Sequence, residues 1–340
     1  MDHQQYICRY GGGIAWDLEI VDDLAYIADG SDGLEIINIS NPSRASIIGN
    51  FQIQSGSQAK DVQIVNSLAY LTVIHEGVYI IDISDPTLPR EVGHIDDCLS
   101  HQGILVMDNF AYVIADEGFT IIDISDPTTP IKVGFFNDTQ DGRKVIVEGE
   151  IAYILCITRA IKILDIGNKS NPVEIGRIPI NLTIALDMVK KNNLLYFTDG
   201  PHLLQIYDVS NMTTPIFLND IEIVRRGRGK GIFIESNRAY ITTGEWVYIV
   251  NVSNPLDLTL IESIEGKVLS RYAFYTGGIQ YYQDKLYLTK SLKGLEIMDL
   301  DPPIDCYSKV LSWIVIIALC GIDLYIFTNP LKFNKSGTAE

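Results

Sequence analysis

One feature constrains this chain more than any other: it repeats itself about every 43 residues. A tyrosine recurs at Tyr26, Tyr70, Tyr112, Tyr153, Tyr196, Tyr240 and Tyr287, each preceded by Ala or Leu, with spacings of 44, 42, 41, 43, 44 and 47 residues. About a dozen residues after each anchor stands a second block, from LEIINISNP through VYIIDISDP and FTIIDISDP to LEIMDLDPP. A third short element closes most units: IIGNF at 47–51, EVGHI at 91–95, KVGFF at 132–136 and EIGRI at 174–178. Seven copies are present. A period of this length marks stacked supersecondary units, each unable to bury its apolar surface alone.

Each copy reads as strands of four to seven residues, rich in Ile, Val, Leu and Tyr and bounded by Gly, Asn, Asp, Ser and Pro. In the second block Leu34 and Ile36 would face one side of a sheet, Ile37 and Ile39 the other. Apolar residues on both faces require both faces to be covered. Small four-stranded sheets stacked around an axis meet that requirement. The seventh copy stops near 301–303 without its closing strand, while an orphan segment, YICRY at 6–10, precedes the first copy. The fold expected is all-β: a closed seven-bladed β-propeller of four-stranded antiparallel blades over residues 1–303. Its N-terminal strand supplies the outer strand of the last blade and so hides two open edges.

The run AYVIADEGFTIIDISDPTTPIKVG (111–134) and its cousins resemble the LVIVD repeat, a propeller-forming repeat found mostly in bacterial and archaeal proteins, often surface or secreted ones. The resemblance covers roughly residues 6–303. It implies architecture and little about activity, because propellers host many unrelated functions.

Polar residues that recur with the repeat invite a functional reading. Asp82, Asp123, Asp165, Asp208 and Asp299, with Asn38 and Asn251, hold one repeat position. Beside Ser and Pro such residues form side-chain-to-backbone turns, which is the reading preferred over a metal ring. The stretch DGSDG (29–33) resembles half a calcium loop but lacks the remaining ligands and terminal Glu of an EF-hand, so it reads as a hairpin turn. No metal or other cofactor is expected. There is no GxSxG, HExxH or P-loop, and the glycines at 227, 229 and 231 do not fit GxGxxG. A net charge of −17 excludes nucleic acid as a principal partner.

Departures from the repeat supply the candidate site. The link IVRRGRGKG (223–231) gathers Arg225, Arg226, Arg228 and Lys230, and the next link, KVLSRYAFYTGG (267–278), offers Arg271, Tyr272, Phe274 and Tyr275. In a propeller such links surround one mouth of the channel, where Arg forks and aromatics recognise carboxylates, phosphates or sugar-like groups. His101, at the start of an inner strand, is a further candidate contact, and Asp17, Lys60, Asp61, Gln102, Arg143, Lys144 and Asp187 stand at comparable positions in earlier copies.

After a linker (304–309) comes VLSWIVIIALCGIDLYIF (310–327), apolar but for Asp323, and after it a short polar tail (329–340). The segment 310–328 is expected to be a hydrophobic helix long enough to span a bilayer core of about 30 Å. Lys332 and Lys335 beyond the span favour an extracytoplasmic propeller. The start MDHQQYICRY has no signal-peptide pattern, which favours a cytoplasmic, tail-anchored one. Two functions fit. One is a membrane-anchored, non-catalytic binding module for an unknown protein, glycan or small anionic ligand. The other is a propeller hydrolase or lactonase using channel-mouth carboxylates such as Asp17, Asp61 and Asp187, with His101 and a metal ion.

Overall fold

The computed structural model describes residues 5–8, 13–96, 101–115, 118–139, 141–156, 160–180, 185–199, 202–222, 231–243, 246–265, 278–289 and 295–300; of Gln5–Cys8, His101, Gln102 and His202 it describes the backbone alone. Seven four-stranded antiparallel sheets make a seven-bladed β-propeller. The inner strands are Asp17–Val21, Gln58–Val65, His101–Met107, Gly142–Glu148, Met188–Lys191, Ile232–Glu235 and Ile279–Tyr282. Six blades take four strands consecutive in sequence. The seventh takes three, and Gln5–Cys8 completes it. Tyr6 pairs with Ile297 and Cys8 with Leu295, so the ring closes as expected, through Gln5–Cys8.

The hairpin between the inner and second strands is two residues long in every blade. Its first residue is Asp22, Asn66, Asp108, Gly149, Asn192, Ser236 or Gln283, each with positive φ. Asn, Asp and Gly tolerate that left-handed geometry best, which is why short polar pairs punctuate the repeat. The repeated Asp and Asn after the third strand make the anticipated turns. Asp82, Asp123, Asp165 and Asp208 each accept the amide two residues on at 2.8–2.9 Å, and Asn38 and Asn251 do so at 3.0 Å. Asp299 pairs with Lys285 Nζ at 2.5 Å.

The core is a series of sandwiches between neighbouring blades. Ile36 and Leu34 of blade 1 pack with Val62 and Leu71 of blade 2, and comparable clusters join blades 2 to 3, 3 to 4, 4 to 5 and 5 to 6. Tyr281 of blade 7 stacks on Phe233 and Tyr240 of blade 6. Ile37 and Ile27 of blade 1 meet Tyr287 and Ile297 of blade 7, which completes the circle. Every anchor tyrosine is buried. Both faces of each central strand are therefore apolar because each face meets a different neighbour.

Among the described residues the helical element is a single turn, Pro42–Arg44. No described helix is long and apolar enough to cross a membrane, and the segment 310–328 lies outside the described residues.

Candidate functional site: the central channel

The seven inner strands line one cavity of about 520 Å³. Two successive levels of side chains face it. Nearer the end where the links enter, one residue per blade stands at the same register: Asp17, Asp61, Gly103, Lys144, Asp187, Gly231 and Gly278. Two residues further along, opposite the anchor tyrosines, are Glu19, Gln63, Leu105, Ile146, Val189, Phe233 and Gln280. Blades 7, 1 and 2 thus present a polar wall at the second level, and blades 3 to 6 an apolar one.

An inner strand is a sheet edge, and its outward amides need partners. Side chains from the preceding blade provide them. Gln280 Oε1 accepts Ile20 N–H at 2.6 Å, Glu19 accepts Ile64 N–H, and Gln63 accepts Val106 N–H while its own amide donates to Val106 O at 3.3 Å. At the first level Asp61 Oδ2 accepts Ile104 N–H at 2.9 Å and Asp187 Oδ2 accepts Ile232 N–H at 2.9 Å. The glycines there make room. A Cβ on Gly278 would sit 3.0 Å from Asp17 Oδ1, and one on Gly103 3.4 Å from Asp61 Oδ2. Threonines on or directly after the second strands, Thr72, Thr198, Thr242 and Thr289, accept the amides of Asp61, Asp187, Gly231 and Gly278 at 2.7–3.1 Å.

Close packing of charge perturbs these groups. Burial drives the Asp17 carboxyl well above its ordinary value, and the charge of Asp61 and a hydrogen bond to it add to the rise. Burial also lifts Glu19 to about 7, against the opposing amide of Ile64. Lys144 pairs with Asp187 at 3.5 Å; that carboxylate, first among its neighbours, holds the ammonium above its usual range. Lys60 is lowered to about 7 by burial and by Arg143, with its Nζ 3.1 Å from the centroid of the Trp16 ring. The first level therefore sets two hydrogen-bonded carboxyl groups (Asp17, Asp61) beside an ion pair (Lys144, Asp187).

Residues 12–52, 56–97, 100–138 and 140–179 match the family model of the LVIVD repeat. The chain is an LVIVD-repeat β-propeller. The four matches fall on blades 1 to 4 of the LVIVD propeller. No curated protein matches the chain. Among solved structures, the β-propeller domain of Cps50 (Swd1) from Myceliophteria thermophila is similar in fold, with a TM-score of 0.70 at 10% identity over 87% of this chain and 100% of that one. A computationally designed protein, Ika8, reaches a TM-score of 0.63 at 8% identity over 87% and 99% of the two chains. At such identities the likeness concerns fold alone.

Of the residues singled out in the LVIVD propeller's sequence, Asp17, Lys60, Asp61, Arg143, Lys144 and Asp187 converge on the channel. Gln102 and His101 belong to the inner strand of blade 3, where the register shifts between His101 and Gly103. Arg225, Arg226, Arg228, Lys230, Arg271, Tyr272, Phe274 and Tyr275 lie outside the described residues, but each of their links runs directly into channel-lining residues, Ile232 after the first and Gly278 after the second. Sequence reasoning missed Glu19, Gln63 and Gln280 as stitches between blades; their signal was an acceptor side chain opposite the tyrosine anchor. Among the described residues, the carboxylates close enough to share one ion are Asp29, Asp32 and Glu35, away from the channel lining. Burial, with the neighbouring Asp32, lifts Asp29 to about 7.

Proposed function

We propose that this LVIVD propeller is a non-catalytic binding module, tethered to a membrane by residues 310–328, that receives the end of a small anionic ligand in its channel. The observation carrying this reading is the division of channel labour. The carboxylates of Asp61 and Asp187 are engaged with backbone amides of the next blade, so they serve the ring rather than a reacting group. Leu105, Ile146, Val189 and Phe233 leave an apolar wall in a cavity of small-molecule size, about 520 Å³. The basic, aromatic links 223–231 and 267–278 precede lining residues at the same mouth and supply the complement for an anionic head.

The test uses the full chain in detergent and an aromatic carboxylate, 3-phenylpropionate, as probe, read by saturation-transfer NMR. Binding is expected in the parent. It should be lost in the Arg226→Glu/Arg228→Glu double variant with unchanged melting temperature, and weakened by Phe233→Asp. Capture that survives both changes refutes the site. Deleting 310–328 should move the protein from the membrane to the soluble fraction, and protease accessibility in intact cells reports the side that carries the propeller.

One observation favours the second reading, a hydrolase. Burial and the neighbouring Asp61 raise the Asp17 carboxyl, and two carboxyl groups in hydrogen-bond contact are an arrangement that acid–base hydrolysis uses. That reading predicts turnover of ester or lactone substrates by the parent and its loss in Asp61→Asn.

A further inference from the structure

The hairpin between the second and third strands of blade 1 is longer than those of blades 2 and 3. Ala28 pairs with Leu34, leaving five residues in the turn, whereas Val73 pairs with Gly77 in blade 2 and Ala115 with Gly118 in blade 3. The longer turn carries Asp29 and Asp32, and Glu35 follows one residue into the next strand. One carboxylate oxygen from each of the three lies within 4.8 Å of the others.

Exposed acidic clusters are common and mean little. This one is different because Asp29 is 0% exposed and neither of its carboxylate oxygens has a hydrogen-bond partner. Glu35 is buried as well, at 4%. Leaving both oxygens of a buried carboxylate unsatisfied is among the costliest things a fold can do, and native structures almost always answer it with a partner or a metal. No side chain can enter from the side of Gly13, since a Cβ there would stand 2.7 Å from Asp29 Oδ1. Hydrogen bonds frame the cluster. Gly13 N–H donates to Asp32 Oδ2 at 3.1 Å, and Asn50 Nδ2 donates to the carbonyl oxygens of Asp32 at 2.8 Å and Leu34 at 3.3 Å.

We propose that Asp29, Asp32 and Glu35 form a calcium site on the first blade. The oxygen-only ligand set suits a hard divalent cation. Calcium–oxygen distances of about 2.3–2.6 Å place oxygens on opposite sides of one ion roughly 5 Å apart, within which this cluster falls; magnesium, at about 2.0–2.1 Å, requires a tighter octahedron. The main-chain carbonyl of Gly30, inside the turn, accepts Ala59 N–H at 2.8 Å. Ala59 is followed by Lys60 and Asp61 of the channel, so an ion here would staple the seam between blades 1 and 2.

Isothermal titration of the full chain in detergent, stripped with chelator and titrated with calcium chloride at neutral pH, tests this. One calcium per chain is expected, with a rise of a few degrees in melting temperature. Magnesium should compete poorly. Asp29→Asn keeps the shape and removes the buried charge, so the fold should persist while calcium affinity falls about 100-fold or more. Should Asp29→Asn fail to fold, Asp32→Asn and Glu35→Gln carry the same expectation, and Asp85→Asn in an exposed turn of blade 2 should bind calcium like the parent. No heat and no thermal shift up to about 10 mM calcium, beyond the weakest range for extracellular calcium modules, overturns the site. Binding unaltered by all three substitutions overturns it equally.

Discussion

Blades 1 to 4 and blades 5 to 7 share a hairpin frame yet differ at the seams. In the outer strands of the first four, Gly49, Gly93, Gly134 and Gly176 hold one register position; blades 5 and 6 put Asn219 and Glu262 there. Around it the backbone is the same, including a register shift after Ile36, Ile80, Ile121, Ile163, Ile206 and Ile249. The glycines answer to the next blade. A Cβ on any of them would overlap a carbonyl oxygen of the following blade's turn, that of Pro86, Pro127, Lys169 or Met212. The blades that match the repeat family are the ones whose outer strand touches its neighbour backbone to backbone. The repeat signature therefore records how blades abut, while the hairpin frame survives without it.

The largest effect should come from breaking that abutment. Gly134→Ala is expected to cost about 2–4 kcal/mol in urea unfolding, since the obstacle is backbone and cannot rotate away. The same methyl placed in blade 5 by Asn219→Ala should cost less than about 1 kcal/mol. Equal losses at the two positions would erase the distinction between the halves. Next in size, Gln63→Leu removes the stitch from blade 2 to both polar groups of Val106 and should cost about 1–3 kcal/mol.

The smallest effect concerns pH. Glu19 performs in blade 1 the bridging that amides perform at Gln63 and Gln280. Burial raises its folded-state value from 4.5 to about 7, so the folded state holds a proton that the unfolded chain releases earlier. Its presence should therefore lower stability as pH climbs from about 4.5 through 7. Glu19→Gln keeps the acceptor and abolishes the charge, giving a variant about 1–2 kcal/mol more stable at pH 8 and little changed at pH 4. A parallel offset at both values would mean that the gain has another cause.

Architecture was readable because the repeat encodes local geometry: tyrosine anchors, turn pairs and Asx turns all act within one unit, and the orphan N-terminal segment told of closure. The channel was readable in part. Asp17, Lys144 and Asp187 could be placed near its mouth by counting, but their residue types vary from blade to blade, and their partners lie about one full repeat away, as with Asp187 and Ile232. Only the curvature of the ring makes such positions neighbours. The DGSDG turn read as an ordinary hairpin because its unusual property, a carboxylate sealed from solvent, depends on Gly13 folding over it from outside the motif.

The joint between Gln5–Cys8 and Leu295–Asp299 sets a schedule for biosynthesis. A ribosome must deliver some 290 intervening residues before the first strand meets its mate, so an incomplete nascent ring exposes two adhesive rims throughout translation. Losing the first strand would dissolve that clasp and leave the apolar seam between blades 1 and 7 to hold the circle.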